Sequence, residues 1–362
     1  MIEHAAAAVM LGGLTLGLNM EDKINRLVEK QLRKPAFPGL ALSLYRRSDQ
    51  MALDISAGNL AGDHPFFIAS ATKLYITAIL LQLAEAGRLT LDDPLSSHLP
   101  AAELAQLHNF KGKDYSARLT IRHLMAHTSG LPDYFQQKRM GKSLLGRLQA
   151  GEDQSWRYED TLRWTRQMQA SFPPGTGRKA YYSDSNYQLL GRIIELAEEG
   201  DIADVLQARI FAPLGLARTY LYKDATDLTP RILNYKTAPL DIRRAMTSFG
   251  PDGGIVSTAP EMMAFLRGFF EGRLFDTAVL PGLYDWRKVM FPLQYGSGVM
   301  RFATPWFFSP FKKQPDLLGH SGLSGAFIFH APQTGIYLAG TVNQIASPGA
   351  SFQLMLQVMN AL

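Results

Sequence analysis

Phe67-Ile68-Ala69-Ser70-Ala71-Thr72-Lys73 is the stretch on which the fold and the chemistry both turn. It joins a short apolar segment, Phe66 to Ile68, to a run with apolar residues at helical spacing, Lys73 to Ala86, that stops at Gly87. A strand that feeds a helix here sets Ser70 at a helix N-terminus, where free N–H groups and the positive end of the dipole support developing negative charge. Ser70 and Lys73 stand three residues apart on one helix face, so hydroxyl and amine are within reach of each other. Alone, S-x-x-K is a weak pattern, and a capping serine with a solvated lysine is its commoner explanation. Ser309-Pro310-Phe311-Lys312 also fits it, yet proline and aromatic neighbours make that segment a loop.

Working outward, Met20 to Arg33 has the pattern of a first helix, and Gly39 to Tyr45 with Met51 to Gly58 reads as a hairpin of two antiparallel strands. Beyond the Ser70 helix, helical patterns (Thr120 to Ala126, Tyr158 to Gln169, Asn186 to Glu199, Ile202 to Ala212) alternate with Pro and Gly loops. Strand signals return late. Gly253 to Ser257 precedes a helix at Pro260 to Phe270; Gly296 to Phe302, Gly325 to His330 and Gly335 to Asn343 read as consecutive strands before a closing helix, Ser351 to Leu362. Strands at both ends of a helical middle predict a discontinuous α/β (α+β) domain, 20–92 plus 250–362, with a mainly helical insertion domain at 93–249. No repeat or low-complexity tract interrupts the pattern.

Composition narrows the chemistry. With 362 residues and 46% hydrophobic content the chain buries a large core, and with no cysteine it has no disulfide, thiolate nucleophile or Cys-ligated zinc. Catalysis is left to hydroxyl, amine, imidazole and carboxylate groups. The +5 net charge is spread without a like-charge run, so neither a nucleic-acid partner nor a stable membrane anchor is expected. Residues 1–19 are apolar from Ala5 to Leu18 but follow Glu3 and His4 rather than a basic residue, and the run is too short to span a bilayer. A signal-segment core and a start at Met20 both fit, which leaves cytoplasmic and periplasmic or secreted placement open.

Two further segments carry polar groups suited to acyl transfer. After the turn Pro173-Pro174-Gly175, Tyr181-Tyr182-Ser183-Asp184 approaches a helix, and an extended backbone there points Tyr182 and Asp184 the same way. Tyr182 relays protons only where a cation such as Lys73 offsets an ordinary phenol value near 10. The bland alternative is a core tyrosine and a helix-capping aspartate, the reading given to Tyr158-Glu159-Asp160. Gly319-His320-Ser321-Gly322 lies at the entrance to the Gly325 to His330 strand, where glycines let a substrate backbone approach.

These three segments, in this order, resemble the superfamily of serine β-lactamases, DD-peptidases and family VIII carboxylesterases, especially its class C-like branch. Further stretches share the likeness: Gly87-Arg88-Leu89-Thr90-Leu91-Asp92-Asp93-Pro94, His123-Leu124-Met125-Ala126-His127-Thr128-Ser129-Gly130-Leu131-Pro132, Asn186-Tyr187-Gln188-Leu189-Leu190-Gly191, Pro213-Leu214-Gly215-Leu216 and Gly253-Gly254-Ile255-Val256-Ser257-Thr258. The resemblance implies a β-lactamase/transpeptidase-like fold, an antiparallel sheet flanked by helices. It implies a cofactor-free acyl-enzyme mechanism on a small ester, peptide or β-lactam substrate. Ser70 is then the nucleophile, Lys73 and Tyr182 exchange its proton, and Asp184, His320, Ser321, Gly322 and Leu323 face substrate, with an oxyanion hole at the backbone N–H groups of Ser70 and Leu323.

Two departures bear on substrate. The second motif ends in Asp184 where the family usually has an amide-donating Asn, and an ionised Asp184 is expected to pair with Lys73 instead. The third motif has His320 where β-lactamases usually carry Lys, as in some DD-peptidases and unlike the Trp-Gly-Gly of many esterases. Both point to ester or small-peptide hydrolysis ahead of efficient β-lactam hydrolysis. A weak β-lactamase and a catalytically silent penicillin-binding-like sensor are the alternatives. His123 and His127, four apart on a predicted helix, are the one hint of a metal site, without a third ligand or an H-E-x-x-H. The absence of G-x-S-x-G speaks against an α/β-hydrolase. Trp306 to Phe311 is an aromatic candidate for shaping the pocket, and Lys312 and Lys313 are a solvated pair or a contact for a substrate carboxylate.

Overall fold

The structure, a computed structural model, describes residues 20–139, 141–304 and 314–362. Its frame is an eight-stranded antiparallel sheet. Two strands come from the N-terminal side, β1 (Gly39–Arg46) and β2 (Met51–Gly58). Six come from the C-terminal side: β3 (Arg287–Met290), β4 (Leu293–Tyr295), β5 (Met300–Phe302), β6 (Leu317–Ser321), β7 (Ala326–Ala331) and β8 (Ile336–Thr341). The order is β3-β4-β5-β6-β7-β8-β1-β2. The expected hairpin forms, with Gly39 opposite Gly58 and Arg46 opposite Met51, while β1 pairs on its other edge with β8, Ala41 opposite Thr341.

Both faces of the sheet are covered, which is why its central strands read as near-continuous apolar runs. Period-two alternation sends Leu40, Leu42 and Leu44 of β1, Phe327 and Phe329 of β7 and Leu338 of β8 to one face. There they meet α1, residues 20–32, through Ile24 and Val28, and α5 (Ala350–Ala361) through Leu354, Met355 and Val358. Ala41, Ile328, Tyr337 and Ala339 face the other way, into a larger core shared with α2 (Thr72–Glu85) and α4 (Ala259–Phe270). Each fully buried large apolar side chain contributes about 1.5–3 kcal/mol. α2 is buried nearly all round, from Thr72 to Leu81, so it runs through the interior rather than over the surface.

A second, three-stranded sheet fixes the Ser70 segment. Phe66–Phe67 pairs with Ile255–Ser257, which pairs with Tyr220–Leu221, and Ile68 N–H donates to Ile255 O at 3.0 Å. The predicted strand thus ends at Phe67, and Ala69–Ala71 forms a 3₁₀ turn that runs straight into α2.

The structure corrects three expectations. Gly319-His320-Ser321 is not the lead-in to the Gly325 strand but the end of a separate strand, β6, whose five residues are too few to show alternation. The short strands β3 and β4 were also invisible, since a proline turn and charged residues break their apolar pattern. His123 and His127 do not share a helix face: the helix Ile121–Met125 ends before His127, which has φ +54°. His123 Nδ1 accepts from Thr120 N at 3.2 Å in a capping box instead. Trp306 to Phe311, Lys312 and Lys313, the second S-x-x-K and the segment 1–19 lie outside the described residues.

Candidate active site

The site is assembled where the Ser70 turn, the N-terminus of α3 (Asp184–Glu198) and the end of β6 converge. Ala69 holds φ +46°, a left-handed conformation that a residue with a side chain adopts at a cost of order 1 kcal/mol, and this turns Ser70 out of the strand line. Gly322 closes the site from the sheet side. A Cβ there would stand 2.2 Å from Ile68 O, so only glycine lets the loop after β6 press against the Ser70 turn.

Lys73 is fully buried, and its ammonium has three donors and three acceptors in place. Nζ donates to Ser70 Oγ at 3.1 Å, to Asp184 Oδ1 at 2.6 Å and to the Asp252 backbone carbonyl at 2.5 Å. Burial alone would lower its pKa, but the Asp184 charge, then Tyr182 and Asp252, outweigh it and the net shift is upward. Lys73 is therefore an ammonium in the free protein. Asp184 is held in place by its neighbours: its N–H donates to Asp133 Oδ1 at 3.3 Å, and Ser183 and Ser185 both donate to Pro132 O, at 2.9 and 2.7 Å.

Tyr182 sits over this ion pair, with Lys73 Nζ 5.3 Å from its ring centroid. Burial pushes its phenol up, and the Lys73 charge and hydrogen bonding to Ser70 and Lys73 only partly offset that. The ring stacks on His127 at 4.3 Å and 27°. Since Ser183 N–H must donate to His127 Nδ1, at 3.1 Å, the His127 proton resides on Nε2, and burial with the nearby Lys73 keeps this imidazole neutral.

His320 is also fully buried and neutral, for a readable reason. Nδ1 is 2.7 Å from Ser321 O, a carbonyl that can only accept, so Nδ1 carries the proton and Nε2 accepts from Tyr295 OH at 2.8 Å. The phenol of Tyr187, 3.3 Å from Tyr295 OH, continues the chain. Burial first, and the Lys73 charge second, bring His320 down to about 3. Between pH 6.5 and about 3 the unfolded chain binds a proton that the folded chain does not, so His320 makes stability fall as pH drops through that window. Replacing it with glutamine is expected to flatten the acid limb of the unfolding midpoint against pH by up to one proton; an unchanged slope would show that His320 is charged in the folded state.

The structure thus brings Ser70, Lys73, Tyr182 and Asp184 into one cluster. Leu323 joins Ser70 and Asp184 in lining an apolar pocket of about 560 Å³, counted to its open mouth. His320 borders Tyr182 at 6.4 Å between ring centroids, whereas Ser321 Oγ donates to Met300 Sδ at 3.5 Å. Asp133, Tyr134, Gln188 and Asp252 were not singled out by sequence reasoning. Tyr134 OH and Gln188 Nε2 both donate to Asp252 Oδ2, at 2.7 and 3.0 Å. Their signal was position: each lies within, or no more than two residues from, a segment that carried the family likeness.

The model of the family described as Beta-lactamase matches residues 24–354. The chain belongs to that family. Among curated relatives, the lovastatin esterase of Penicillium rubens is 30% identical over 182 residues, 48% of this chain and 43% of the esterase. Penicillin-binding protein 4 of Amycolatopsis lactamdurans is 27% identical over 251 residues, 64% of this chain and 58% of the relative. The chain spans about half the length of these curated relatives. In fold, D-amino acid amidase of Ochrobactrum anthropi SV3 superposes with a TM-score of 0.76 at 21% identity, over 94% of this chain and 98% of the amidase. The antiparallel sheet with flanking helices is the β-lactamase/transpeptidase fold that the sequence resemblance implied.

Proposed function

We propose that this protein is a serine hydrolase that cleaves ester or amide bonds of acyl groups with an apolar side chain through an acyl-enzyme on Ser70. The observation that carries this is the hydrogen bond from a fully buried Lys73 to Ser70 Oγ at the rim of an apolar pocket. Lys73 rests as an ammonium and Tyr182 as a phenol, so the base forms only when a proton leaves Lys73. Asp184 Oδ1, at 2.6 Å, is the acceptor in contact. The neutral amine then takes the Ser70 proton as Oγ attacks the carbonyl carbon, and Tyr182 relays it to the departing oxygen or nitrogen. The backbone N–H groups of Ser70 and Leu323 meet the oxyanion, and water reverses the sequence to free the acid.

The pocket bears on substrate class. Phe135, Leu148, Met246 and Phe249 are among its walls, and among the described residues no Lys or Arg lines it. His320, neutral and turned into the Tyr295 hydrogen bond, supplies no cation for a carboxylate-bearing substrate. These features favour esters and amides over penicillins and D-Ala-terminated peptides. Across nitrophenyl acetate, butyrate and hexanoate, kcat/KM is expected to rise about three- to fourfold per methylene, the value of roughly 0.8 kcal/mol of burial each. Nitrocefin should turn over slowly. Fast nitrocefin opening with no gain along the ester series would sink the assignment.

A further inference from the structure

Three buried carboxylates crowd the one lysine of the site. Asp133 and Asp252 are 1% exposed and Asp184 is 4% exposed. Asp184 is paired with Lys73, and Asp133 accepts the N–H groups of Phe135 and Asp184. Asp252 is only half satisfied: Oδ2 takes Tyr134 and Gln188, and Oδ1 is buried without a hydrogen-bond partner. A buried polar atom in that state is costly and calls for an explanation. Asp252 also borders the same pocket as Ser70 and Leu323, and its own backbone carbonyl takes the Lys73 ammonium that touches Ser70 Oγ. The carboxyl thus stands beside the acyl group that Ser70 would carry.

Two ligand types can satisfy a carboxyl oxygen, a neutral O–H or N–H and a cation. The lining and the state of the carboxyl separate them. Among the described residues no Lys or Arg lines the pocket to repel a cation. A cation is also the ligand that draws the proton off a carboxyl that burial and the Asp184 charge hold up, so a cationic donor is favoured. The rest of the pocket is apolar and suits a hydrophobic side chain.

We propose that Asp252 recognises the α-ammonium of the acyl group, which makes the preferred substrates esters or amides of apolar α-amino acids with a free amino end. This inference rests on the acyl-enzyme reading and adds the substrate class to it. The ammonium sits on the carbon next to the scissile carbonyl, the apolar side chain occupies the pocket, and the leaving group stays uncharged. Asp252 is pushed up to about 8, first by burial and next by the Asp184 charge, with Lys73 opposing. A bound ammonium opposes that shift and draws the proton off.

The test compares the nitrophenyl esters of D- and L-phenylalanine with that of 3-phenylpropionic acid, which lacks only the amino group, at pH 7 on the full chain. The wild type is expected to prefer one amino ester over the desamino ester at least tenfold in kcat/KM. Asp252→Asn should lower that ratio to near one, and Tyr134→Phe, which keeps the carboxyl, should preserve it. Because the ratio is read within each protein, a general loss of activity in a variant cancels. Equal wild-type turnover of amino and desamino esters overturns the inference without any variant, as does a preference that survives in Asp252→Asn. A wild type that hydrolyses none of the esters and is not labelled at Ser70 removes the acyl-enzyme reading itself.

Discussion

Lys73→Met is expected to destabilise the fold by about 3–5 kcal/mol, the usual cost of removing one partner from a buried ion pair, besides abolishing turnover. The side chain is fully buried, so solvent does not screen the loss. Methionine fills nearly the same space, and what disappears is the charge that Asp184, at 2.6 Å, requires. Asp133 and Asp252 make the deficit worse, because burial and the Asp184 charge already push both carboxyls up, and Lys73 is the cation that holds them down. In thermal unfolding of a chain of 362 residues the loss amounts to about 5 °C. Adding Asp184→Asn to Lys73→Met should recover most of it, since the uncompensated charge is then gone, while activity stays absent. A Lys73→Met chain as stable as the wild type would mean that the carboxylates around it carry no net charge in the folded protein.

The same cluster shows what the sequence could and could not disclose. Ser70 and Lys73 were legible because both lie on one continuous helical turn, where spacing alone fixes proximity. Asp184 was legible as a departure from an expected Asn, and chemistry then assigned it to Lys73, from which it is separated by 111 residues. Asp252 was not. Its side chain matters only because the Gly250–Asp252 turn packs against α3, where Gln188 reaches it, and no local pattern announces that contact. His320 was found but its state was not: neutrality follows from burial beside Lys73, and the ring's hydrogen bond comes from Tyr295, on β4, a three-residue strand with no readable alternation. For the fold, the N-terminal hairpin and the long amphipathic helices were readable, and the failures fall on elements of five residues or fewer, β3, β4 and β6. Those elements exist because the neighbouring strand offers them hydrogen bonds, as Met300 opposite Gly319 does, and tertiary pairing leaves no trace in a short window.

Ser70→Ala is expected to lower kcat by a factor on the order of 10⁴–10⁶ while leaving the fold intact. The second half of that expectation is specific to this geometry. Lys73 loses one of three hydrogen bonds and keeps Asp184 and the Asp252 carbonyl, so the buried charge remains paired and the unfolding midpoint should move by no more than a degree or two. Intact-protein mass spectrometry after a fluorophosphonate probe reads the first half directly, with one adduct on the wild type and none on the variant. Nitrophenyl-ester turnover should vanish in parallel. Because Lys73→Met loses stability and activity together whereas Ser70→Ala loses activity alone, the pair separates the electrostatic role of the lysine from the nucleophilic role of the serine. Labelling that persists in Ser70→Ala would place the nucleophile elsewhere and leave the Lys73–Asp184 pair a structural feature.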